Sequence, residues 1–147
     1  MKIRKSPFTL LLSLGLLALW LPLRAEEEPK GRGVDYNIET SASTKQIKVG
    51  ERGNFVLAIV PGKDRKVHKQ APLSVTLRAP AGIVLDKAKL GRSDVTVDDG
   101  KRMEMSVGFA AKSVGEQAIE ANATFFICTD KWCQRMTEQV AVTVNVQ

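Results

Sequence analysis

Alternation with a period of two runs through most of the chain, and it restricts the fold more than any motif does. The stretch "EQAIEANATFFIC" puts Ile119, Ala121, Ala123, Phe125 and Ile127 on one parity, and "EQVAVTVNVQ" does the same with Val140, Val142, Val144 and Val146. "RMEMSVGFA" alternates Met103, Met105, Val107 and Phe109 with Arg102, Glu104 and Ser106. "PLSVTLRAP" sets Leu73, Val75 and Leu77 against Ser74, Thr76 and Arg78. Upstream, Tyr36 and Ile38, then "KQIKVG", then "GNFVLAIVPG" with Phe55, Leu57 and Ile59, continue the pattern, and "DVTVDDG" adds a short run. Successive side chains of a strand point to opposite faces, so each run reads as a strand buried on one side only. "VGERG", "VPGKD", "APAG", "DDGK" and "SVGE" fall between the runs and supply turn residues. The spacing predicts an all-β chain of about eight strands in an immunoglobulin-like antiparallel sandwich. A jelly roll or another Greek-key sandwich is the alternative. No helical period, internal repeat or antibody-type cysteine–tryptophan–cysteine core is present.

The alternation starts at Val34, and what precedes it has a different character. "MKIRK" carries three positive charges, "FTLLLSLGLLALWLPL" then runs sixteen residues without a charge, and Ala25 offers a small residue before "EEE". This is the order of a secretory signal, predicted over 1–25. An uncleaved anchor is the competing reading, but the run falls short of the ~20 residues a spanning helix needs, and Pro22 interrupts it. No cysteine follows the cleavage site, so no lipid-modified cysteine is expected there. "EEEPKGRG", residues 26–33, has no apolar period and reads as a disordered lead-in. The domain is then 34–147. Removing Lys2, Arg4, Lys5 and Arg24 takes the formal charge from +6 to +6 − 4 = +2, so the basicity is mostly the signal's. The remaining lysines and arginines are interspersed with acids, which excludes a nucleic-acid patch. The expected location is the periplasm, with full secretion as the other outcome.

"FFICTDKWCQRM" holds both cysteines, Cys128 and Cys133. An exported chain meets an oxidising compartment, so two such cysteines are expected to pair. Strands flank them, which puts "CTDKWC" at a hairpin tip. Parity carried from Ile127 and from Val140 places both sulfurs on the outer face, within reach of a cross-strand bond. A bulge near the tip would flip one of them. The bridge would close six residues, for which chain entropy credits only about 2 kcal/mol. Three roles are open: a structural clip, a redox pair, or part of a metal site. Lys131 and Arg135 would favour a thiolate and Asp130 would oppose them. Trp132 is either a partner contact or shield for the sulfur, or an aromatic packed into the core or turn, which its even parity favours. If the pair exchanges electrons, Cys128 is expected to be the more exposed, attacking sulfur and Cys133 the resolving one.

The tail "ATFFICTDKWCQRMTEQVAVTVNV" and, more loosely, "KVHKQAPLSVTLRAPAGIVLDKAKL" resemble the periplasmic N-terminal domain of the thiol:disulfide interchange protein family DsbD. The likeness extends loosely over Val34 to Gln147 and is most specific at the cysteine hairpin. It implies an immunoglobulin-like fold with Cys128 and Cys133 as the redox pair. They would take electrons from a membrane-embedded carrier and pass them to exported thiol or thioredoxin-like proteins. The chain differs from the family's usual pattern in having "QRM" rather than prolines after the second cysteine, and Lys69 after His68.

Other chemistry finds little footing. His68 is the one histidine, in the polar run "KDRKVHKQ". It could complete a metal site with the two cysteines, but the spacing fits no zinc motif and oxidised cysteines offer no thiolates. Met103, Met105 and Met136 would be soft copper ligands, yet methionines at alternate strand positions are usually core. No nucleophile motif accompanies His68, no glycine-rich phosphate loop exists, and Asp98–Asp99–Gly100 reads as a turn. Asn122 heads an "NAT" sequon but lies mid-strand. No cofactor is expected.

Overall fold

In chain order the strands are β1 (Tyr36–Glu39), β2 (Gln46–Ile47), β3 (Arg52–Pro61), β4 (Lys66–Val67), β5 (Ser74–Arg78), β6 (Ile83–Leu85), β7 (Lys89–Leu90), β8 (Val95–Asp98), β9 (Met103–Ala111), β10 (Gly115–Cys128) and β11 (Cys133–Val146). The computed structural model describes residues 34–147, so the signal predicted for 1–25 and the lead-in predicted for 26–33 lie outside the described residues. The described residues all fall within one compact unit, Gly31–Gln147. Among the described residues the one helical element is a single 3-10 turn, Arg92–Asp94.

Two sheets face each other. One runs β1-β3-β9-β6 with β8 also on β9; the other runs β2-β11-β10-β5-β7 with β4 also on β10. All pairings are antiparallel except β2, which lies parallel to β11. The first order matches the A-B-E-D sheet of an immunoglobulin sandwich, and β11-β10-β5 matches its G-F-C sheet. The immunoglobulin-like expectation is met. The expected eight strands become eleven because β4 and β7, only two residues long, and β6, three, are added. Pieces this short carry no readable alternation. They arise where the chain changes sheets: it pairs with β9 as β6, crosses to β5 as β7, and returns to β9 as β8.

The core is what the alternation predicts. Phe55, Leu57 and Ile59 of β3 meet Met103, Met105, Phe109, Ile119, Phe125, Ile127 and Val144, each at most 1% exposed. Each such side chain contributes about 1.5–3 kcal/mol through removal of its apolar surface from water. Met103 and Met105 are core residues, as expected. The outer face of β3 breaks the half-buried rule: Ala58 is fully buried. Glu39 and Glu104 are its partners on either side in the ladder. Arg102 spans them, reaching Glu39 at 2.5 Å and Glu104 at 3.0 Å. The ion pairs bridge over the small Ala58 side chain and hide it.

Asp98–Asp99–Gly100 is the expected turn. Asp99 Oδ1 accepts the Lys101 and Arg102 N–H groups, and Gly100 takes φ of 81°, a left-handed conformation that glycine adopts without a Cβ clash.

Candidate functional site: the cysteine hairpin, its histidine and the edge of β11

β10 and β11 pair without a break from Gly115↔Val146 to Cys128↔Cys133, fourteen residues on each strand. The turn beyond is set by Thr129. Its N–H bonds the Trp132 carbonyl at 2.9 Å, and its Oγ1 accepts the Lys131 and Trp132 N–H groups at 3.2 and 3.3 Å. A hydrogen-bonded 129:132 pair makes the next pair, 128:133, the non-hydrogen-bonded kind, in which the backbones come closest. The two Cα atoms are 4.0 Å apart and the sulfurs are joined in a disulfide. The pairing expected from the compartment is therefore present, and no bulge intervenes.

The two sulfurs differ in access, and here the sequence expectation is corrected. Cys128 is 2% exposed, whereas Cys133 is exposed. Parity does put Cys128 with Thr124 and Phe126, but β4 lies alongside β10 there, with Val67 opposite Ile127 and Lys66 opposite Cys128. The edge strand and the turn after it cover the sulfur. The accessible cysteine is Cys133. Trp132 is also corrected: it is 42% exposed rather than packed inside, because it sits past the last ladder pair, where strand parity no longer applies. Lys131 and Arg135 are exposed on either side of Cys133.

His68, which sequence spacing set aside, comes to the cysteines. A ring nitrogen of His68 and the two sulfurs all lie within 4.8 Å of one another. The placement is built in stages. The His68 N–H bonds the Phe126 carbonyl at 2.9 Å, extending the contact of β4 with β10. Its Nδ1 accepts the N–H groups of Gln70 at 3.1 Å and Ala71 at 2.9 Å, closing a tight turn. Arg92, in the 3-10 turn, donates to the His68 carbonyl and to the Ala71 carbonyl at 3.2 Å. Sequence reading missed Arg92 altogether; nothing local links it to residues 24 positions away. As a metal site the trio is poorly prepared. The sulfurs are bonded to each other, and Nδ1 is occupied by two backbone donors, so the ring hydrogen belongs on Nε2.

The second feature is the far edge of β11. In an antiparallel ladder alternate residues turn their backbone groups toward one neighbour and then the other. With 128:133 non-hydrogen-bonded, the odd-numbered residues of β11 direct N–H and C=O away from β10. The Asn145 N–H confirms the phase by bonding the Lys45 carbonyl beside β2 at 2.7 Å. β2 pairs only with Asn145 and Val146. Among the described residues, no strand pairs with the outer side of Cys133, Arg135, Thr137, Gln139, Ala141 or Thr143. Glu138 stands on the inward parity of this edge, where it accepts the Tyr36 hydroxyl. Beside the edge, Thr76, Arg78, Glu120, Asn122, Gln139 and Ala141 line an open hollow of about 650 Å³ on the outer sheet face.

No protein-family model and no curated protein matches the chain. Solved structures do. A native-state alpha-2-macroglobulin of Escherichia coli is 16% identical, with a TM-score of 0.46 over 77% of this chain and 7% of its own length. AggA, the major subunit of an E. coli aggregative adherence fimbria, is 11% identical, with a TM-score of 0.44 over 78% of this chain and 95% of its own. A PapD-like domain of human CEP192 is 10% identical, with a TM-score of 0.41 over 78% of this chain and 86% of its own. The fold assignment here rests on the strand order and register.

Proposed function

We propose that this protein is an exported, non-catalytic β-sandwich module that takes up an extended segment of a partner protein along the open edge of β11. The observation that carries this reading is the outward row of N–H and C=O groups from Cys133 to Thr143. An extended chain can pair with such a row as an added strand, and main-chain bonds then supply affinity while side chains supply choice. Arg135, Thr137, Gln139, Ala141 and Thr143 would face the incoming strand's neighbours with a single charge among them. On this reading the Cys128–Cys133 bond is a clip that holds the end of the edge. Export is supported by the signal-like residues 1–25 and by the paired cysteines. Among the described residues no helix is long and apolar enough to cross a membrane. The test is photo-crosslinking in producing cells from probes placed at Gln139 or Ala141, with Val114 as control. Crosslinks to a partner at the first two positions, lost in Thr137→Pro, are expected. Proline there removes an outward donor and leaves the β10 ladder intact. Equal crosslinking at Val114, or no effect of the proline, overturns the reading.

A second reading, thiol:disulfide exchange, is favoured by the exposure of Cys133 beside a buried Cys128 and a histidine. The likeness to the DsbD N-terminal domain suggests a membrane electron carrier or a thioredoxin-like protein as partner. A bond between residues already zipped in register adds little to the fold, which leaves it free to be opened. A reduction potential below about −300 mV, where structural disulfides sit, sinks this reading. A mixed disulfide trapped on Cys133 in a Cys128→Ser variant supports it.

A further inference from the structure

We propose that His68 is the residue that makes the Cys128–Cys133 bond easy to open, by donating a hydrogen bond from its Nε2–H to the Cys128 thiolate as it leaves. The inference rests on the exchange reading. Every other polar group of His68 is committed. Its backbone N–H goes to Phe126, its carbonyl takes Arg92, and its Nδ1 takes the Gln70 and Ala71 amides. Two donors aimed at Nδ1 leave the ring hydrogen on Nε2. Among the described residues Nε2 makes no hydrogen bond, and one ring nitrogen lies within 4.8 Å of both sulfurs. Arg92 fixes the turn from outside, so the ring is positioned before any reaction begins.

The order of events follows from burial. A thiolate of the dithiol partner that supplies electrons, the membrane carrier on this reading, attacks Cys133 Sγ, because Cys128 is 2% exposed. The partner–Cys133 sulfur bond forms, the Cys133–Cys128 bond breaks, and its electron pair leaves on Cys128 Sγ. A hydrogen-bond donor lowers the basicity of a leaving thiolate, and a less basic thiolate leaves faster. The partner's second thiol then displaces Cys133. The partner ends as a disulfide, and the cysteine pair has gained its two electrons and two protons. Lys66, opposite Cys128, and Lys131 and Arg135, beside Cys133, also favour thiolates, and Asp130 opposes them. The test must therefore change His68 alone.

The experiment measures the rate at which reduced glutathione opens the disulfide in the mature protein, with mass spectrometry locating the first glutathione. Wild type should carry it on Cys133. His68→Phe keeps a ring over the sulfur and removes the donor; about tenfold slower opening is expected. His68→Gln restores an N–H donor and should recover most of the rate. Phe and wild type opening equally fast overturns the role of His68 and leaves the exchange reading standing. A wild-type bond that glutathione does not open overturns the exchange reading itself. A measurement independent of variant folding is the 15N resonance of His68 Nε2 in wild type. It should move on reduction, and an unmoved resonance overturns the proposal.

Discussion

The Tyr36 hydroxyl donates a hydrogen bond to the Glu138 carboxylate, tying β1 of one sheet to β11 of the other. The Tyr36 ring meanwhile packs edge-on against Phe125, centroids 5.4 Å apart at 86°. One side chain thus closes the sandwich where both sheets end and satisfies the inward-pointing carboxylate of an open edge. Inward charges are one means by which edge strands resist unwanted pairing.

Tyr36→Phe keeps the ring and loses the bond. Stability should fall by about 1–2 kcal/mol, since Glu138 keeps its desolvation without a donor. Urea unfolding at neutral pH measures it. The pH profile adds a second signature. Burial first, then the Glu138 hydrogen bond and charge, push the Tyr36 phenol above its ordinary value of 10.0. The folded state therefore holds this proton to higher pH than the unfolded chain does. Stability is complete below about pH 10 and declines as pH rises beyond it. The wild-type minus Tyr36→Phe difference should be constant below about pH 10 and shrink as pH rises above it.

On the acid side, Asp94 is held below the usual carboxylate range by its bond from Lys87, then by the Gly91 N–H. Its contribution is present above the unfolded value and is lost as pH falls through the folded one. Asp94→Asn should flatten the acid limb of the stability profile below about pH 4. Carbon NMR titration of the Asp94 carboxyl checks the direction independently.

Replacing both Cys128 and Cys133 by serine should lower stability by about 2 kcal/mol and preserve the fold, because the closed loop is short. The amide correlation spectrum should change near the hairpin tip only. Reducing the wild type should produce the same loss in urea unfolding. Collapse of the β10–β11 ladder would show that the bond does more than clip its end.

Arg92→Ala should release the turn at residues 68–71. Two charged hydrogen bonds to carbonyls are lost, each worth about 1.5–3 kcal/mol. Hydrogen exchange at the Gln70 and Ala71 amides should accelerate at least as much as global stability falls. Unchanged exchange there would mean that Arg92 does not hold the turn.

The alternation of apolar residues determined the longer strands and the core, because side chains on a pleated strand report burial at every second position, and the residue types Asp98–Asp99–Gly100 marked their turn. It also put the cysteines opposite each other at the end of one hairpin, since both inward sets could be counted to the tip. Only tertiary structure decided which sulfur is accessible. Cys128 and Cys133 share a predicted face, and the difference comes from β4, a two-residue strand with no pattern to read. Tertiary structure likewise brought His68 to sulfurs sixty residues later in the chain and set Arg92 to hold it. Those contacts depend on where a loop crosses a neighbouring strand, and periodicity carries no record of that. Trp132 shows the same boundary from the other side: parity is a property of the ladder, and the ladder stops at Cys133, one residue short of Trp132.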